Sequence, residues 1–210
     1  MSRRLAAILV VLAIVGLSLP SLRFYILRTA GRSLVAEDPV ECADVIVVTV
    51  DAGDAGLLEA ADLVRRGVAP GVALLPEPLT PAQREYARRA IPYEDVLAAS
   101  ERQLRLLGVT TIERIPAVVD GTETETRALR DWSARRRLAA LLVVSSTDHS
   151  RRVRRELRRS MRGSSTRVLV RSARYSEFNP DSWWVTRGGV RTEIVEFEKL
   201  LLDIAGHPLS

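Results

Sequence analysis

The sequence predicts an α/β fold: a Rossmann-like, mainly parallel sheet flanked by helices and preceded by one N-terminal transmembrane helix. Three observations carry this. Residues 43–50 (ADVIVVTV) and 138–145 (LAALLVVS) are short apolar runs without the alternation of a half-exposed strand, so both faces of their sheet must be covered. Helical patterns alternate with such runs along the chain, as in βαβ units. Residues 5–22 (LAAILVVLAIVGLSLPSL) carry no charge, and as a helix would span about 27 Å, close to the hydrocarbon core of a bilayer.

The N-terminal run favours an uncleaved anchor over its two competitors. A cleaved signal peptide needs small residues before the cut, and residues 16–23 offer no good site. A buried soluble helix would show a polar face. Phe24 and Tyr25 follow the run and suit a membrane interface. Arg3 and Arg4 precede it and Arg23, Arg28 and Arg32 follow it, so flanking charge leaves the orientation undecided. The expected division is residues 1–32 as anchor, 33–42 as linker and 43–205 as the Rossmann-like domain.

The remaining elements follow in order. After the strand at 43–50, residues 51–56 (DAGDAG) form a turn. Leu58, Ala61 and Val64 recur at helical spacing up to Gly67. Residues 71–75 are a second strand, and helices are expected over 81–90 and 94–107, the latter stopped by Gly108. A strand over 110–115, a helix over 122–137, the strand at 138–145 and a helix over 148–161 follow. A strand over 167–170 and a helix over 190–204 complete the chain.

Charge narrows the function. The chain of 210 residues has a net charge of +5, but residues 1–32 hold five arginines and no acid. The remaining residues balance at 26 basic and 26 acidic, which argues against nucleic-acid binding. Cys42 is the one cysteine, so no intrachain disulfide forms. In the arginine run 151–162 (RRVRRELRRSMR), Val153, Leu157 and Met161 recur every four residues as a buried stripe, with the arginines expected on a solvated face. An anionic lipid or polymer patch is the alternative.

Parallel sheets bind ligands beyond the carboxyl ends of their strands, which selects three turns. In DAGDAG, Gly53 and Gly56 allow close backbone approach. Asp51 and Asp54 would repel a phosphate but can hold a cation or accept hydroxyl hydrogen bonds. Thr122 and Glu125 have the spacing of a capping box. Glu125 also shares a helical face with Leu129 and Trp132, which turns its carboxylate inward as a candidate general base or ligand contact. In SSTDHSRR (145–152), Ser146 or Thr147 can cap the next helix. His149 is a candidate proton donor or acceptor, and Arg151 or Arg152 a candidate anion contact. Ser145 and Ser146 lack a nucleophile-elbow motif, and His149 and His207 do not have metal-site spacing.

In the order ADVIVVTV, LEAADLVRRGVAP, GVTTIERIP, GTETETRALRDW, LLVVSSTDHSRRVRREL and FNPDSWWVTRGGVRTEIVEFEKLL, the chain resembles the SanA/YdcF/ElyC-like family from about residue 43 to 202. The resemblance implies a Rossmann-like fold, often behind a membrane helix, and a role in cell-envelope biogenesis or barrier maintenance. It places the domain on the extracytoplasmic side of the cell membrane, single-pass. By position it implies Glu125 and His149 as catalytic residues. Asp51, Gly53, Thr122, Ser146, Thr147 and Arg152 would contact a phosphorylated envelope precursor or nucleotide-like small molecule. The family's glycine cluster after the first strand is DAGD here, and its Ser-Gly after the second strand is replaced by Leu75-Pro-Glu-Pro78. A non-catalytic envelope scaffold with a degenerate site is the alternative, and no cofactor is assigned.

Overall fold

A computed structural model describes residues 19–208. The apolar run expected to anchor the chain lies outside the described residues up to Ser18. Among the described residues no helix is long and apolar enough to cross a membrane. Helix α1 (Pro20–Ser33) begins at Pro20, where Leu19 is extended (φ −83°, ψ 114°), as the residue before a proline prefers.

Five strands form one sheet in the order β3-β2-β1-β4-β5, with every pairing parallel. They are β1 (Val45–Val48), β2 (Val72–Leu74), β3 (Ile112–Arg114), β4 (Ala140–Ser145) and β5 (Arg167–Ser172). The helices between them are α2 (Gly53–Arg65), α3 (Pro81–Arg88), α4 (Val96–Leu106), α5 (Thr122–Arg136) and α6 (Ser150–Ser160), followed by α7 (Arg187–Gly206). Strand β1 is central and buried throughout, and β4 likewise, as their unbroken apolar sequences require.

Successive strand residues supply opposite layers. Ile46, Val48, Leu142 and Val144 pack with Leu57, Ala60 and Leu63 of α2 and Leu97 and Leu104 of α4. Val45, Val47, Leu141 and Val143 pack with Leu129 and Trp132 of α5 and with Val153 and Leu157 of α6. The α2 layer comes very close to the sheet at Gly56. A Cβ there would lie 2.4 Å from the Ala52 Cβ and 2.7 Å from the Val48 Cγ1. Gly56→Ala is expected to destabilise the fold by about 1–3 kcal/mol, the usual cost of overpacking a close-packed core. Urea unfolding would measure it, and an unchanged midpoint would show that α2 can shift freely.

Residues 33–42 are not a loose linker. Leu34 and Ala36 are buried. Arg151 N–H donates to the Leu34 carbonyl (3.0 Å), and Ala36 N–H to the Ser150 Oγ (2.9 Å). Asp38 N–H donates to the Val170 carbonyl (2.8 Å), and its carboxylate accepts from Val170 N–H (3.0 Å). This strap lies along the start of α6 and satisfies part of the free edge of β5.

The arginines of α6 also depart from expectation. Val153, Leu157 and Met161 form the buried stripe, but the other flanks are covered by the strap and by α7. Arg151 donates to the Val35 carbonyl, Arg154 pairs with Asp38, and Arg155 and Arg159 pair with Asp203. These side chains are half-buried rather than a solvated face, Arg151 on a backbone carbonyl and the other three on carboxylates.

Candidate functional site

The strand order reverses between β1 and β4, and the turns after these two strands face each other there. A crevice at such a switch point is where doubly wound sheets bind ligands. The chain leaves β1 through a single 3₁₀ turn (Val50–Ala52) and enters α2 at Gly53. Gly53 has φ +48° and ψ −145°, a conformation open essentially to glycine alone, so its identity sets the path of the loop.

Asp51 is fixed by this path. Its Oδ2 accepts hydrogen bonds from the Ser145 hydroxyl (3.0 Å), the Ser146 amide (3.0 Å) and the Ser146 hydroxyl (2.7 Å). The carboxylate thus occupies the donors at the end of β4 that an anion would otherwise find. This resolves the function of the two serines: they hold Asp51 and do not cap α6. Thr147 does not cap it either. Its hydroxyl donates to the Ala173 carbonyl (3.1 Å) and its amide to the Ser176 hydroxyl (3.1 Å), tying the turn to the loop after β5.

Glu125 enters from the first turn of α5 and is buried. Its Oε1 accepts from the Val50 amide (3.0 Å). The expected capping box is not formed. Gly121, at φ +97°, occupies the cap position, and Thr124 makes the local bonds, accepting from the Asp120 amide and donating to the Gly121 carbonyl. Thr122 instead accepts from Arg152 Nη1 (2.6 Å). Burial, followed by the nearby Asp51 charge, pushes Glu125 up to about 8; the Val50 amide, His149 and Arg152 oppose this only in part. At neutral pH the group is therefore mostly a carboxylic acid, a proton donor rather than the base its sequence position suggested.

His149 is held by a partner the sequence did not reveal. Its Nδ1 lies 2.5 Å from Glu196 Oε2, on α7. Arg152 Nη2 lies 3.3 Å from the same oxygen, and Lys199 Nζ 2.6 Å from Oε1. Burial pulls the imidazole downward, but the hydrogen bond to Glu196 and the charges of Asp51, Glu196 and Asp148 outweigh it and raise His149 above its ordinary value. Burial acts upward on Glu196, and its bonds to His149 and Lys199 overcome it, holding the carboxyl well below the usual range. The described hydrogen bonds of the ring are all made at Nδ1, which leaves Nε2 for a ligand.

Asp51, Gly53, Ser146 and His149 line one cleft of about 490 Å³, whose far wall is Tyr175, Ser176 and Phe178 of the loop after β5 and Thr192 of α7. Asp54 and Asp148 stand at its edge. Glu125 is buried and bonded to the Val50 amide, and the half-buried Thr122 and Arg152 pair with each other. Of the eight residues expected, Asp51, Gly53, Ser146 and His149 line the cleft, whereas Glu125, Thr122, Arg152 and Thr147 do not. Among the described residues, no group of three or more His, Cys, Asp and Glu side chains is arranged to hold a metal ion.

Fold and crevice together define a doubly wound α/β domain with a buried acid and a carboxylate-held imidazole at its switch point. No family model matches the chain, and no curated protein or solved structure shows significant similarity to it.

Proposed function

We propose that this chain is a membrane-anchored, SanA/YdcF-like domain of the cell envelope whose crevice binds and processes a phosphorylated, hydroxyl-bearing ligand of nucleotide or sugar-phosphate type. The observation that supports this best is the meeting of Glu125, Asp51 and His149 at the β1/β4 switch point. The three groups supply complementary chemistry. Glu196 favours the protonated form of His149, which offers Nε2–H to a phosphoryl oxygen. Asp51 and the rim acids Asp54 and Asp148 suit ligand hydroxyls, which donate. Glu125 holds a proton near neutral pH and suits general-acid transfer to a leaving oxygen. The run of uncharged residues 5–22 supports the anchor, and the motif resemblance supports the envelope.

Calorimetric titration of the full chain in detergent, with uridine diphosphate and with a polyprenyl monophosphate, tests the pocket. Wild type is expected to bind at least one of them. His149→Ala is expected to weaken that affinity about tenfold or more, the loss of one charged hydrogen bond. Equal binding by wild type and by both His149→Ala and Glu125→Ala would remove these residues from the ligand site.

One observation favours a second reading, a non-catalytic scaffold. The donors at the end of β4 are taken by Asp51, and Arg152 is committed to Glu196 and Thr122, so the strongest anion contacts are satisfied within the chain. On that reading neither ligand binds and neither raises the melting temperature.

A further inference from the structure

Helix α7 is built the opposite way round from a helix of a freely soluble domain. Its buried residues are Glu193, Glu196 and Leu200, while Ile194, Val195, Phe197, Leu201, Leu202 and Ile204 are exposed. Val190, Ile194, Phe197 and Leu201 recur at intervals of four, three and four, which places them on one stripe. Ile194 is 60% exposed and Leu201 51% exposed. The acids cannot exchange places with this stripe, because Glu196 is bound to His149 and Arg152.

The stripe does not stand alone. A groove beside it is lined by Trp184, Val185, Val190 and Ile194, with the exposed Arg187 and Arg191 along its rim. Trp184 stacks edge-on against Phe24 of α1, centroid to centroid 5.5 Å. Trp183 Nε1–H donates to the Leu27 carbonyl (2.8 Å), and Asp181 pairs with Arg28 and Arg32, so α1 is fixed to this corner. Leu22, Phe24 and Tyr25 of α1 are exposed. The exposed apolar surface therefore runs from the first turns of α1 across Trp184 to α7.

We propose that this surface docks on the lipid bilayer, with Phe24, Tyr25 and Trp184 at the headgroup level and the aliphatic stripe of α7 against the acyl boundary. The inference rests on the membrane-anchor reading and adds the face by which the domain lies down. Two features select a bilayer as the occupant. The uncharged run 5–22 leads directly into α1, so an anchor in the membrane brings Phe24 and Tyr25 to its surface. Aromatic side chains with adjacent arginines match an interface of apolar chains and anionic headgroups. In this arrangement the inner face of α7 holds His149 while its outer face holds the membrane.

The chain has three tryptophans, and Trp132 is buried in the core out of reach of lipid, so quenching of emission by the acyl chains reports Trp183 and Trp184. The full chain would be reconstituted into vesicles of phosphatidylcholine and phosphatidylglycerol, with and without bromine on the acyl chains. Brominated lipid is expected to quench wild type, and Trp184→Phe to lose most of that quenching. Ile194→Asn, at an exposed position that leaves the core intact, is expected to reduce quenching of the native tryptophans. Quenching absent in a chain that floats with the vesicles overturns the docking face and leaves the anchor standing. Quenching present in a chain that alkaline carbonate extracts supports the face and overturns the anchor. A dimer cross-linked through α7, without quenching, assigns the stripe to a second copy and overturns the proposal. Quenching that is indifferent to both substitutions overturns it as well.

Discussion

Glu196→Ala is expected to be the most damaging single substitution in this chain. The carboxylate is buried and serves three cations, His149, Arg152 and Lys199. Removing one member of a buried ion pair leaves the others desolvated without compensation, at a typical cost of about 3–5 kcal/mol. Helix α7 would also lose one of its holds on α6, leaving the Arg155 and Arg159 pairs with Asp203 and the small apolar cluster of Leu34, Phe178 and Leu200. Urea unfolding at pH 7 measures the loss. The pH dependence separates this cause from lost packing. Glu196 is depressed in the folded state, so its contribution is present above the ordinary glutamate range and is lost as pH falls below it. His149 is raised, so its contribution is full below its ordinary value of 6.5 and is lost as pH rises through the higher folded value. Glu196→Gln should flatten both slopes. A Gln variant that keeps the wild-type pH profile would show that the cluster is not an ion pair.

Glu125→Gln is expected to act in the opposite direction on stability. The folded-state value is about 8 against an ordinary 4.5. For an acid raised in this way, the unfolded chain gives up its proton first. Stability falls as pH rises from about 4.5 and levels off above the folded value. One pKa unit corresponds to about 1.4 kcal/mol, so the full decline is at most about 5 kcal/mol. The amide keeps an oxygen for the Val50 N–H and carries no charge toward Asp51. Glu125→Gln should therefore match wild type near pH 4 and exceed its stability at pH 9. If Glu125 is the general acid of the proposed reaction, the same variant binds ligand and loses turnover. The combination, a more stable protein without activity, is what a strained functional carboxyl produces. A variant less stable than wild type at pH 9 would place the value of Glu125 near that of an ordinary surface acid.

Much of this architecture is legible in the sequence because one physical signal dominates it. Strands β1 and β4 are covered on both faces, and a nearly continuous apolar octet has few other places to go. The same signal locates Asp51, Glu125 and His149, since each lies just past the end of a strand or opens the helix behind one. What was missed involves competition between partners far apart in the chain. Thr122 and Glu125 have capping-box spacing, yet Arg152 takes the threonine hydroxyl and the Val50 amide takes the carboxylate. The α6 arginines read as solvated because no local pattern announces that residues 34–38 and α7 will cover them. Glu196 was invisible for a sharper reason. In VEFEKLLLDI hydrophobicity points the aliphatics inward, and the structure turns Glu196 inward beside Leu200, toward cations that only tertiary folding supplies.

The strap of residues 34–38 has a mechanical consequence. Its hydrogen bonds to Arg151, Ser150 and Val170 attach the N-terminal end of the domain at the first turn of α6, beside His149. Tension applied through the N-terminus would run along α1 and the strap and load these bonds in shear, at the doorstep of the crevice rather than at a remote corner. The strap follows α1 directly, and Leu34 and Ala36 are buried within it, so a load on α1 passes to α6 through few intervening residues.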